Sequence, residues 1–166
     1  YELHRLSLSS ATKADLKHVM DLERKQFSME PEFCWFGSDE RFLKAQFHDR
    51  LESLKQSNAQ SFVLKDRNKK LKGYFAYNVR WSRLYSFLAG SEIILDQSIQ
   101  RKGLSKPCYA LLLDGMCNSK ARFFSGNTAQ PAILKQIDSL GRTPTSLMLR
   151  HHPGHFSKEH FLKHLR

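Results

Sequence analysis

The stretch E-I-I-L-D-Q-S-I-Q-R-K-G-L-S-K-P, Glu92 to Pro107, decides how this chain is read. The apolar run Ile93-Ile94-Leu95 breaks into a basic turn that contains a glycine, and Pro107 then marks a helix start, where its missing N–H costs little. We read Ser91 to Asp96 as a strand and the segment after the turn as a helix. The first amides of a helix have no intrahelical partner, and the helix dipole favours negative charge beside them. Gly103 lets an anion approach the backbone, Ser105 is small, and Arg101, Lys102 and Lys106 add positive charge. By itself the turn reads first as an ordinary strand-to-helix connection, with a pyrophosphate cradle as the alternative.

Working outward, Leu3 to Ser9 alternates apolar and polar residues as a strand does. Thr12, with Asp15 three positions on, forms a capping-box pattern ahead of a helix over Lys13 to Gln26. Pro31 and Gly37 bracket an aromatic loop, E-F-C-W-F. Beyond it, Leu43, Phe47, Leu51 and Leu54 make the apolar stripe of a second helix capped by Ser38 or Asp39. Phe62 to Leu64 turns through D-R-N-K-K into L-K-G-Y-F-A-Y-N-V, a hairpin. The helix after the turn carries Tyr109, Leu112, Leu113 and Met116. It is followed by a strand over Arg122 to Ser125, a helix over Pro131 to Leu140 ending at Gly141, a strand over Ser146 to His151 and a terminal helix. The order predicts an α/β fold: a mixed sheet covered by helices on both faces.

The 166 residues suit one domain, with a core over about residues 3–151 and a C-terminal helical extension over about 154–166. No apolar run is long enough for a transmembrane helix, and the N-terminal residues lack a signal-peptide pattern. Cys34, Cys108 and Cys117 have no metal-type spacing. Their odd number fits a reducing cytoplasm better than a disulfide framework. The net charge of +11 points to anionic partners or to plain solubility.

L-D-Q-S-I-Q-R-K-G-L-S resembles the acyl-CoA signature of the GNAT superfamily of N-acetyltransferases, Gln/Arg-x-x-Gly-x-Gly/Ala after the fourth strand. Gln100 and Gly103 match it, Ser105 replaces the second small residue, and Leu95 falls at the apolar strand end. Ser9 to Glu23 is similar to the family's opening strand and helix. Ala129 to Arg142 is similar to its late segment, with Gln130 in the place of the usual Asn. The resemblance implies a mostly antiparallel sheet with one splayed parallel strand pair that holds acetyl-CoA. It places Leu95, Gln100, Arg101, Lys102, Gly103, Leu104, Ser105, Lys106 and Gln130 at the cofactor, and Trp35 and Phe36 at the wall of the acceptor pocket.

Direct transfer to an amine needs a base for the amine proton and a donor for the departing thiolate. Glu92 is the candidate base, an acid within an otherwise apolar strand, the setting in which a carboxylate gains useful strength. Relatives carry their strand acid nine residues before the signature Gln/Arg, whereas Glu92 lies eight before Gln100. One residue reverses the face of a strand unless a bulge restores it. Where relatives place a donor Tyr on the late helix, this chain has Ile137, which leaves Tyr109, Ser125 or water as the acid.

These departures keep three readings open: an acyl-CoA-dependent N-acetyltransferase, a GNAT-like binding module without turnover, and a tRNA-directed member suited to the basic charge. No RNA-specific motif stands out. His160 and His164 have a spacing that can bind zinc, but no third ligand accompanies them and no metal is expected.

Overall fold

The computed structural model describes residues 6–29, 40–83 and 86–125. Their order is β1 (Ser7–Ser10), α1 (Lys13–Met29), α2 (Glu40–Ser53), β2 (Ala59–Lys65), β3 (Leu71–Ser82), β4 (Ser86–Leu95), α3 (Ser105–Cys117) and β5 (Phe123–Ser125), with one 3-10 turn at Gln97–Ile99. The five strands form one open sheet in the order β1-β2-β3-β4-β5. The first four are antiparallel, and β5 runs parallel to β4, with Leu88 opposite Phe123 and Gly90 opposite Ser125. The splaying of that pair that the resemblance implies is not seen between Phe123 and Ser125, and the residues after Ser125 lie outside the described residues. So do the late helices and strand and the C-terminal extension.

The two-residue alternation of the strands separates two cores. On one face Phe75, Tyr77, Val79 and Ala89 meet Cys108, Leu112 and Met116 of α3. On the other, Val63, Tyr74 and Ile94 meet Leu16, Val19 and Leu22 of α1, with Phe47 and Leu51 of α2 packed alongside. The sheet therefore has helices on both faces.

Local chemistry starts the elements where the sequence suggests. Thr12 Oγ1 and Thr12 N both donate to Asp15 Oδ2, at 2.7 and 2.9 Å. Lys65 Nζ lies 2.6 Å from Asp15 Oδ1. Burial alone would raise the Asp15 pKa, but Lys65 and Thr12 outweigh it and hold the group below the usual carboxylate range. The β2–β3 turn closes on Asp66, whose Oδ1 accepts from the N–H groups of Asn68 and Lys70.

Three expectations need adjusting. β2 and β4 are longer than their apolar cores, because backbone pairing with β3 carries them on. Cys108 and Cys117 both fall in the apolar segment of α3, where cysteine is usually a small buried hydrophobe; Cys108 is buried, but Cys117, at the end of the helix, is exposed. The pairing of β3 with β4 runs from Gly73–Leu95 to Ser82–Ser86 with no irregularity, so no bulge returns Glu92 to the other face.

Candidate active site

Glu92 lies on the α1/α2 face of β4, two residues before Ile94. There it meets Arg50 of α2, whose side chain is only 4% exposed. Arg50 donates from Nε to Glu92 Oε2 at 3.2 Å and from one terminal nitrogen to Glu92 Oε1. The same guanidinium grips Glu23 of α1 in a fork, both contacts at 2.7 Å. Its carbon sits 5.3 Å above the centre of the Tyr74 ring, and the Tyr74 hydroxyl pairs with Ser61 Oγ at 3.3 Å. One cation thus joins two carboxylates contributed by a helix and a strand. Burial opposes the charge on Arg50, but the hydrogen bonds to Glu23 and the charge of Glu92 prevail and raise its pKa further. Burial, reinforced by Glu92, pushes the Tyr74 phenol up to about 12, so Tyr74 stays neutral at working pH. Glu92 remains one-third exposed and Glu23 about half that.

At the end of β4 the chain is latched to α1. Lys25 Nζ reaches Asp96 Oδ2 at 3.0 Å, and Gln26 Nε2 donates to the Leu95 carbonyl at 2.5 Å. Asp96 Oδ1 also accepts from Ser98 N and Oγ, which starts the 3-10 turn. Gln100 folds back so that its Nε2 donates to the same Leu95 carbonyl at 2.8 Å. Gln100 thereby helps to shape the turn. Arg101 and Gly103 both take positive φ, 59° and 78°. Left-handed residues in a turn make a concavity of backbone N–H groups suited to an anion. α3 begins directly after it, and its cap residue Leu104 makes no side-chain capping bond. A Cβ built at Gly103 meets nothing within 4 Å, so the turn is open on that side. Arg101, Lys102 and Lys106 are exposed around it. The turn thus offers an open backbone concavity ringed by basic side chains, a setting suited to an anion.

The fold matches solved acetyltransferase structures across most of both chains. Glucosamine-6-phosphate N-acetyltransferase from Arabidopsis thaliana superposes with a TM-score of 0.62 at 12% identity, covering 89% of this chain and 98% of that one. An aminoglycoside N-acetyltransferase in complex with CoA gives 0.61 at 18% identity, covering 89% and 93%.

The chain has the GNAT fold.

A transcriptional regulator from Bacillus halodurans is similar too, with a TM-score of 0.66 at 14% identity over 89% of this chain and 99% of that one. No protein-family model matches the sequence, and no curated protein does. On the GNAT fold the residues named from the sequence fall at separate places. Leu95, Gln100, Arg101, Lys102, Gly103, Leu104, Ser105 and Lys106 come together between the end of β4 and the start of α3. Glu92 stands on the opposite face of β4 from the Leu95 side chain, which packs with the α3 core. Tyr109 is half-buried on α3, and Ser125 pairs with Gly90 at the end of β5. Trp35, Phe36 and Gln130 lie outside the described residues, as does Ile137.

Sequence reasoning missed Arg50 and Glu23. A signal existed for Arg50: it lies three residues after Phe47 and seven after Leu43, on the apolar stripe of α2, where a charge needs a buried partner. A groove of about 320 Å³ lined by Ser57, Asn58, Tyr77, Asp114, Gly115 and Asn118 flanks the C-terminal half of α3, away from the turn. No cluster of three metal-ligating side chains occurs among the described residues. No described helix is long and apolar enough to cross a membrane.

Proposed function

We propose that the protein is an acyl-CoA-dependent N-acyltransferase that moves an acetyl group to an amine. The observation that carries this is the turn: two left-handed residues leading into the N-terminus of α3, at the end of a strand that has a parallel neighbour in β5. The amides around Gly103 and the side chains of Arg101, Lys102 and Lys106 would hold the pyrophosphate of acetyl-CoA. The bound co-substrate supplies an acyl group activated as a thioester. The acceptor ammonium loses a proton to Glu92, directly or through water, and its lone pair forms the new C–N bond. The C–S bond breaks with its electron pair on sulfur, and Tyr109, Ser125 or water returns a proton to the thiolate. Holding donor and acceptor side by side supplies much of the acceleration.

Calorimetric titration with CoA and acetyl-CoA tests the binding half. Saturable binding supports the reading, and no heat at millimolar ligand would sink it. Thiol release with a panel of primary amines tests turnover.

The grip of Arg50 on both Glu92 oxygens favours a second reading, an acyl-CoA-binding module without turnover. Saturable CoA binding with no thiol release for any amine would select it.

A further inference from the structure

Glu23, Arg50 and Glu92 come from three separate elements and converge on one buried guanidinium. A carboxylate paired one-to-one with a buried arginine is a poor proton acceptor, because protonation leaves the cation uncompensated. Here a second carboxylate changes that balance. With all three groups ionised the cluster carries one net negative charge, and a proton gained at Glu92 makes it neutral. The arrangement is also asymmetric. Glu23 holds Arg50 through a two-pronged fork and is the more buried acid, whereas Glu92 keeps the more open side. Each carboxylate oxygen has a second lone pair beyond the one directed at Arg50.

We propose that Arg50 and Glu23 are positioning residues for Glu92: the guanidinium fixes the carboxylate on the sheet, and Glu23 offsets enough of its charge for Glu92 to accept the acceptor's proton. This deepens the acyltransferase reading and rests on it. In the step concerned, an N–H bond of the acceptor ammonium breaks, the electron pair stays on nitrogen, and the proton passes to a Glu92 oxygen. Among the described residues, the charged and titratable groups facing Glu92 are Arg50 of α2, Glu23 of α1 and Tyr74 of β3. Asp96, further along the same strand, is neutralised by Lys25.

The two partners act in opposite directions, which a merely structural role would not produce. Glu23→Gln leaves Arg50 facing Glu92 alone, and the acid limb of the kcat/KM profile is expected to move down by about one pH unit. Arg50→Met leaves two carboxylates facing each other, and the limb is expected to move up by a similar amount. CoA affinity is expected to stay unchanged in both, because Arg50 bonds to Glu23 and Glu92 on the α1/α2 face of the sheet, whereas the cradle is built from the backbone and cations of the turn. Carbon-detected NMR titration of the Glu92 carboxyl in the full chain, wild type and Glu23→Gln, reads the same displacement without turnover. It therefore tests the cluster even if no amine is acetylated, and Glu23→Gln serves where Arg50→Met does not fold. A downward displacement in Glu23→Gln upholds the proposal. A Glu92 titration that does not move in Glu23→Gln, with only the melting temperature altered, overturns it.

Discussion

Gly115 of α3 lies against the ring of Tyr77 in β3 so closely that a Cβ at Gly115 would fall 2.5 Å from Tyr77 Cε1 and 2.8 Å from its hydroxyl. Tyr77 is buried, and a neighbour on its strand, Phe75, stacks on Phe62 across β2. The rigid ring would have to shift towards the groove that Tyr77 and Gly115 both line, giving up part of its packing. In an unconstrained helix Gly→Ala gains up to about 1 kcal/mol. Here the clash costs more, about 1–3 kcal/mol for overpacking. Gly115→Ala should lower stability by about 1 kcal/mol in urea unfolding, and a stabilised variant would show that α3 does not pack this tightly.

The turn makes a sharper demand at Gly103. Its φ of 78° costs a side chain about 1–2 kcal/mol, although the space beside it is open. Gly103→Ala and Gly103→Glu should therefore melt alike, slightly below the wild type. Only Gly103→Glu should abolish CoA binding in calorimetry, because it places a negative charge in the cradle. Equal CoA affinity in the two variants would remove the turn from the binding site.

Asp96 gives the fold an acid sensitivity. Burial alone would raise its pKa, but hydrogen bonds from Ser98 and Lys25 outweigh burial and hold it at about 2. Because the folded value lies below the unfolded one, this stabilisation is complete above about pH 4 and is lost as the pH falls towards 2. Asp96→Asn should cost about 2 kcal/mol at neutral pH and flatten the stability curve over that window. Parallel curves for the two proteins would contradict the assignment.

At the start of α1, Thr12→Ala should cost about 1 kcal/mol through loss of the cap. Asp15 links that cap to Lys65 of β2, so Thr12→Ala and Lys65→Met should combine non-additively in a double-mutant cycle. Simple additivity would mean that the cap and the ion pair act independently.

Local signals made much of this legible from the sequence. The Thr12–Asp15 box, the stripe of Leu43, Phe47 and Leu51, and the break at Gly103 each announce an element with a physical device contained in a few neighbouring residues. The turn was readable because an anion site built from backbone amides depends on one contiguous segment. The charge cluster was not readable in the same way. Glu23, Arg50 and Glu92 are 27 and 42 residues apart, and nothing local links them. Arg50 is marked only by its place on an apolar stripe. The face of Glu92 depended on whether β4 carries a bulge, which only its pairing with β3 could decide.

That regular pairing has a consequence for how the strand tolerates change. Along β4, Ala89, Ile93 and Leu95 answer to α3, while Glu92 and Ile94 answer to α1 and α2. The strand is a partition whose two sides can drift separately. Substitutions scanned one position at a time along it should alternate in kind, with losses at one set of sites compensated by changes in α3 and losses at the other by changes in the first two helices.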